Sequence, residues 1–368
     1  MSTENDYLEL RNVNITKKMQ PAIMANDRNM PILDNNEEYN IDVIRFDIDN
    51  RGIPIFVPRI EKPFIDLFTQ VTIPSNASIM MTPWQQMIEG YYTTNLQCMI
   101  EYTASNGSLS YYGASIPWIP EHLGEPIPPT LDRQNILSSR FFHCHHLSHF
   151  ASLVTIGLNN CVNTALNTAS SGGKIIVDTL ANGLLSILVP QSCFALQWRL
   201  IVNKELSDLM GFHTVAHETL QNAYVLVMKT FSMQILPINT FVVQPTSYGQ
   251  VTEDYRPACF FPFKLLLFTS QDIQAEPLMR YNNSTQYDNA QLSIITDYLL
   301  DVTNITTFYD TIIYQPQSYN RKIRLLNSIN QKKLQINVLL ETADGIQTNL
   351  LLYPNASCSI LMRFSTRS

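Results

Sequence analysis

The chain has 368 residues, enough for two or three average domains and a large buried core. Hydrophobic residues reach 45% but charged residues only 15%, with Asn, Thr, Ser, Gln and Tyr making up the difference; this excludes intrinsic disorder and long charged coiled coils. A net charge of −7 argues against wrapping a nucleic-acid backbone, and with 12 glycines and no Walker or dinucleotide loop, nucleotide chemistry is set aside.

Residues 1–38 are polar and Asn-rich with no sustained period, and read as an extended N-terminal arm. The opening Met1-Ser-Thr-Glu-Asn-Asp-Tyr7 has no basic stretch leading into an apolar core. No run approaches the ~20 apolar residues of a membrane span, so an intracellular compartment is expected. Residues 39–140 form a first β region. Ile41, Val43, Ile44, Phe46 and Ile48 carry a strand pattern, and Asn50-Arg51-Gly52 supplies a turn. Ile53, Ile55 and Val57 follow as an edge strand between Pro54 and Pro58. Further strands are expected at Phe64–Ile73, Leu96–Thr103 and Leu109–Ala114, the last two joined across Ser105-Asn106-Gly107-Ser108 as a hairpin. The prolines between Ile116 and Asp132 call for a long irregular connection.

Residues 141–240 read as a helix-containing β region, possible as an insertion. Leu147, Phe150, Leu153, Val154, Leu158, Val162, Ala165 and Leu166 fall at helical spacing and stop before Ser170-Ser171-Gly172-Gly173. A second short helix is expected over Lys204–Met210, closed by Gly211. Residues 241–368 carry the C-terminal strands. Leu334, Ile336, Val338 and Leu340 alternate with polar residues, as do Cys358, Ile360, Met362 and Phe364, with Ile323, Leu325 and Thr311–Tyr314 before them. Strands at this spacing without intervening helix predict a mainly β protein: antiparallel jelly-roll sandwiches, with short helices near 145–170 and 204–211.

Reactive side chains concentrate in Phe141–His149, where His143, His145, His146 and His149 surround Cys144. On a strand His143 and His145 share a face, and on a helix His145 and His149 stand at i, i+4, so His143, His145 and His149 are the candidate metal ligands. No third and fourth ligand is signalled elsewhere. Protonation of His143, His145, His146 and His149 near pH 6 makes a pH-sensitive interface the stronger reading. His213-Thr-Val-Ala-His217 lacks the glutamate of a zinc protease and reads as a capped helix end and loop. Glu253-Asp254 and the Asp297/Asp301 pair read as solvated carboxylates, and no nucleophile elbow is present, so no catalytic residue and no cofactor is expected. Arg321, Lys322, Arg324, Lys332 and Lys333 read as a protected strand edge. Tyr91-Tyr92 and Tyr111-Tyr112 place one ring on each side of a strand, free to serve a subunit contact. Cys98, Cys144, Cys161, Cys193, Cys259 and Cys358 show no paired spacing and are expected to be buried free thiols. The Asn14-Ile-Thr and Asn304-Ile-Thr sequons are expected to carry no glycan.

Over residues 140–368 the chain resembles the jelly-roll penton and minor capsid proteins of polintons, adintoviruses and virophages. The resemblance rests on the order of the Leu153–Leu166 helix, Glu205-Leu-Ser-Asp-Leu-Met-Gly-Phe212, Leu265-Leu-Leu-Phe-Thr-Ser-Gln-Asp-Ile273, Glu276-Pro-Leu-Met-Arg280, Ile294-Ile-Thr-Asp-Tyr298, Ile313-Tyr-Gln-Pro316 and Ile360-Leu-Met-Arg-Phe364. It implies a virion protein assembled inside the host cell, with copies of itself in a pentamer and a neighbouring major capsid protein as partners, no catalytic residues and no sequence-specific nucleic-acid binding. A compact double jelly-roll major capsid protein, a carbohydrate-binding or attachment module, and an enzyme on a β scaffold are the alternatives.

Overall fold

The structure is a computed structural model that describes residues 5–27, 39–54, 65–73, 92–103, 106–125, 142–166, 174–180, 184–190, 198–227, 229–231, 248–252, 263–273, 293–300, 311–314, 322–325, 333–343, 345 and 347–366. The chain forms two compact units. The first takes Met1–Pro54, His122–Glu125 and Phe261–Ser368; the second takes Ile55–Glu121 and Pro126–Phe260. This nested division differs from the four consecutive blocks read along the sequence, because strands from both chain ends share one sheet.

The first unit contributes β1 (Asn5–Val13), β2 (Gln20–Pro21), β3 (Ile23–Asp27) and β4 (Tyr39–Asp49). The chain then enters the second unit with β5 (Tyr92–Thr103), β6 (Leu109–Trp118), helix α1 (Leu147–Leu166), β7 (Ile176–Thr179), β8 (Leu185–Pro190), β9 (Trp198–Asn203), helix α2 (Lys204–Met210), β10 (Thr214–Ala216), β11 (Ala223–Leu226), β12 (Lys229–Phe231) and β13 (Tyr248–Thr252). It returns as β14 (Phe263–Ser270), β15 (Ser293–Leu299), β16 (Thr311–Tyr314), β17 (Ile323–Arg324), β18 (Lys333–Thr342), β19 (Gln347–Asn349), β20 (Leu351–Leu352) and β21 (Ser357–Thr366).

In the first unit one five-stranded sheet runs β1-β21-β4-β16, with β17 also on β4; a second runs β15-β14-β18-β19, with β3 also on β18; and β2 pairs with β20 as a two-stranded sheet. The two larger sheets face each other through Phe46 and Phe268, whose ring centroids lie 4.6 Å apart, and Tyr298 meets Phe46 edge-on. Successive C-terminal strands divide between the sheets, and this crossing makes the sandwich jelly-roll-like. On β21 the inward set is Cys358, Ile360, Met362 and Phe364, as alternation predicts. On β4 the inward set is Ile41, Val43, Phe46 and Ile48, which breaks period two between Val43 and Phe46. The register explains the break: Leu361 pairs with Arg45 and Met362 with Val43, so Ile44 is an extra, bulged residue that restores the core face.

Residues 5–13, read from sequence as part of an extended arm, are strand β1, paired with β21 from Asn5↔Ser365 to Val13↔Ser357. The sequence hides it because β1 is an edge strand in which, of Asp6–Leu10, only Leu8 and Leu10 are buried.

In the second unit a five-stranded sheet runs β10-β11-β9-β5-β6 and a four-stranded one β12-β13-β8-β7. Adjacent residues on β5 point to opposite faces. Cys98 looks toward α1, while Met99 joins Leu67, Ile201 and Ala223 on the other side, where Phe68, Val71 and Tyr111 pack against them. Helix α1 buries the periodic Leu147, Phe150, Leu153, Val154, Leu158 and Val162. It also completes the edge of β7. Asn159 accepts from the Ile175 N–H at 3.0 Å and donates to the Ile175 carbonyl at 2.8 Å, and Thr155 Oγ1 accepts from the Val177 N–H at 3.0 Å. Helix α2 starts at Asn203, whose side-chain oxygen accepts from the Leu206 N–H, and stops at Gly211 with φ 57°.

The strand expected over Phe64–Ile73 is instead, in its described part, a loop with a 3-10 turn at Phe68–Gln70. Asp66 Oδ1 accepts from the Phe68 N–H at 2.7 Å and the Asp66 carbonyl accepts from Thr69 Oγ1 at 2.9 Å; these local bonds outcompete a ladder. Pro117 sits on β6, the last strand of its sheet, where a missing N–H does no harm. The expected strand at Ile55–Val57 and the end of the connection to Asp132 lie outside the described residues.

Candidate functional site: histidine cluster and exposed faces

The four clustered histidines lie in the second unit, on the approach to α1 and in its first turn. His143 and His145 are buried, with rings 6.4 Å apart. His146 Nδ1 is bonded to Glu121 Oε1, and the His145 backbone N–H donates to the other oxygen of that carboxylate at 3.3 Å. Glu121 thus places a negative charge at the helix N-terminus, where the dipole favours it. His149 Nε2 donates to the Ile119 carbonyl at 2.8 Å, and its ring meets Trp118 edge-on. His143, His145 and His149 are not gathered into a three-atom ligand group among the described residues. Burial lowers His143 from the usual histidine range to about 4. The hydrogen bond His146 donates to the Glu121 carboxylate outweighs burial and raises it.

A second polar cluster escaped sequence reading. Glu101 on β5, Arg199 on β9 and His217 after β10 meet across the five-stranded sheet. Arg199 Nε donates to Glu101 Oε1 at 2.6 Å, Arg199 Nη1 donates to both oxygens of Glu218 at 2.9 Å, and His217 Nε2 lies 3.0 Å from Glu101 Oε2. His217 Nδ1 accepts from the Thr219 and Leu220 N–H groups, each at 3.2 Å, so Nε2 carries the ring N–H and faces Glu101 Oε2, with Arg199 Nη2 also 3.1 Å from it. Both ring nitrogens are committed, which makes this a clamp on the 217–220 turn and leaves neither nitrogen to act as a base. Burial alone would raise Glu101, but the bonds from Arg199 and His217 prevail and lower it. Tyr111, opposite Glu101, is raised by burial and by that carboxylate. His213 and His217 were legible as a pair. Glu101 and Arg199, 98 residues apart, become neighbours only through the pairing of β5 with β9.

On the outer face of the β1-β21-β4-β16 sheet, Tyr7, Arg363 and Asp42 stand side by side, as do Glu9, Leu361 and Arg45. Asp42 is only 1% exposed because Arg363 covers it, donating through Nε at 3.2 Å and through Nη2. Tyr7, 57% exposed, and Ile313, 64% exposed, stand on the two end strands of this sheet. Ile15 is 86% exposed on a loop held by Asn14, whose oxygen accepts from Thr16 and whose nitrogen donates to the Lys18 and Leu352 carbonyls at 2.8 Å each. The Asn14 amide is therefore buried and fully used, which removes it as a glycan acceptor.

The other candidates separate. Arg324 lies on β17 and Lys333 on β18, in different sheets, and Lys322, just before β17, is exposed. Arg321, Lys332, Tyr91, Glu253, Asp254, Asp301, Asn304, Cys193 and Cys259 lie outside the described residues, while Asp297 is on β15 opposite Leu267. Tyr111 packs on the Leu67–Met99 cluster, and Tyr112 points to the other face of β6. Cys98, Cys144, Cys161 and Cys358 are buried thiols that form no disulfide.

A family model described as Sputnik minor capsid protein V18/19 matches residues 7–366. Among solved structures, the chain is similar to the mavirus penton protein, with a TM-score of 0.56 at 12% identity over 99% of this chain and 100% of that one. It is also similar to a chain of the Sputnik virophage structure, with a TM-score of 0.64 at 16% identity over 98% and 97%. A search of curated proteins finds no match.

Proposed function

This chain belongs to the Sputnik minor capsid protein V18/19 family, and from that premise we propose that it is a penton subunit, five copies of which close a ring at a capsid vertex. Membership makes it a structural protein of the virion that acts through oligomeric assembly, not an enzyme. Among the described residues no helix is long and apolar enough to cross a membrane. The five-fold form and the contact with a neighbouring major capsid protein are the proposal; the observation that carries it is the jelly-roll-like sandwich within a family match of nearly the whole chain. Low charge supports it, since faces rich in Asn, Gln, Thr and Tyr desolvate without stranding ions.

A ring needs two different patches on each subunit, one for each neighbour. Tyr7 on β1 and Ile313 on β16 supply exposed apolar side chains at opposite ends of one sheet, and we assign the ring contact to these two strands. Native mass spectrometry of the purified protein is expected to show a species of five 42.0 kDa chains. Tyr7→Lys and Ile313→Lys are each expected to shift it to monomer with thermal midpoints unchanged. A trimer would favour the major-capsid arrangement instead, and a monomer at all concentrations would contradict both. Of His143, His145, His146 and His149, read as a pH-sensitive contact, His143 and His145 are buried, which leaves the half-buried His146 and His149 of the second unit to make such a contact, separate from the ring strands.

A further inference from the structure

We propose that Cys98 and Cys161 form a latent disulfide that closes when the protein meets an oxidising environment, tying helix α1 to the five-stranded sheet of the second unit. Their sulfurs lie 3.6 Å apart, in van der Waals contact, across 63 residues of chain. The contact is built by the sequence. Gly157 stands one turn before Cys161 on the same helix face, and a Cβ there would lie 2.4 Å from Ile116 Cδ1 and 3.6 Å from Cys98 Sγ. The missing side chain lets the helix backbone settle onto β5 and β6, and closing a disulfide then needs the sulfurs to approach by the remaining gap to a ~2 Å bond. The other described thiols are placed differently: Cys144 Sγ donates to the His146 carbonyl at 3.1 Å, and Cys358 is buried on β21 of the first unit.

The oxidant is a small-molecule disulfide. One thiol loses its proton and attacks the oxidant, whose S–S bond breaks and releases one small thiol; the second cysteine then attacks the mixed disulfide and releases the other. Two S–H bonds are lost, one S–S bond is gained, and the oxidant leaves as two thiols. Both cysteines are buried, so the first step waits on local opening and is slow, as befits a bond meant to form after assembly in a reducing cell and not during it. The chemistry rests on the second unit alone and is independent of ring stoichiometry.

The test is to purify the full chain with reductant, incubate it with glutathione disulfide for hours to days, then denature, alkylate and map it. The expected product is two hydrogens lighter, takes up alkyl groups at four of its six cysteines, and yields one peptide linking Cys98 to Cys161. Closing a loop of this length is expected to raise the thermal midpoint of the second unit by roughly 10 °C. Cys98→Ala and Cys161→Ala should each abolish the link and the rise. Six alkylated cysteines after prolonged oxidation, a link between other cysteines, or glutathione adducts without the link would each overturn the proposal. So would a linked chain with an unchanged midpoint.

Discussion

Gly52→Ala is expected to destabilise the first unit by about 4 kcal/mol or more, enough to cost most of the soluble, cooperatively folding protein. A Cβ at Gly52 would lie 1.6 Å from the Leu351 carbonyl oxygen and 2.8 Å from its carbon, so the clash is with backbone and no rotamer relieves it. Leu351 opens β20, which is held to β2, so the strand cannot retreat without giving up its ladder. Gly107→Ala is the control. Gly107 has φ 82° but nothing within 4 Å of its Cβ position, so only conformational strain of about 1 kcal/mol is expected. Urea denaturation of the two variants beside the parent measures the difference, and equal midpoints would contradict the close approach at Gly52.

Acidification from pH 7 to pH 4 is expected to cost the second unit about 3 kcal/mol through His143, whose folded value of about 4 lies below the ordinary 6.5. Between those two values the unfolded chain binds a proton that the folded chain refuses. The stability is therefore whole above about 6.5 and is lost as pH falls toward about 4. Glu101, also lowered, adds a loss of the same sign that begins below the ordinary carboxylate value. His146 works the other way: raised by Glu121, it contributes stability that is full below 6.5 and lost as pH rises through its folded value, and partial exposure weakens the effect. His143→Asn should flatten the change in urea midpoint between pH 6.5 and 4, and an unaltered slope in that variant would contradict the assignment to His143.

Much of the strand content was legible because one face of each strand is buried. Leu334–Leu340 and Cys358–Phe364 alternate, and their registers obey that alternation. Helix α1 was legible from its 3.6-residue stripe, and α2 from Gly211. The nested units were not, since the pairing of β1 and β4 with β21 spans more than three hundred residues and leaves no local mark. Nor was the bulge at Ile44, where Ile41, Val43, Ile44, Phe46 and Ile48 read as one alternating strand and only the pairing of Val43 with Met362 and Arg45 with Leu361 marks Ile44 as the extra residue. At the sites, the histidine run was visible as composition. Its partition into a buried pair and a pair bonded to Glu121 and Ile119 depends on how the chain after β6 passes the helix start. Cys98 and Cys161 carried no motif, because a thiol contact between a strand and a helix needs no fixed spacing.

The family places this chain in the shell of a virion, and the sandwich of its first unit is the part the account asks to adhere to sister copies. Cryo-electron microscopy of the intact particle tests this most directly. Density fitted by this chain is expected at the five-fold vertices, five copies per ring, with Tyr7 and Ile313 of adjacent copies at the shared boundary. Density for this chain at three-fold capsomers, or none within the shell, would contradict it.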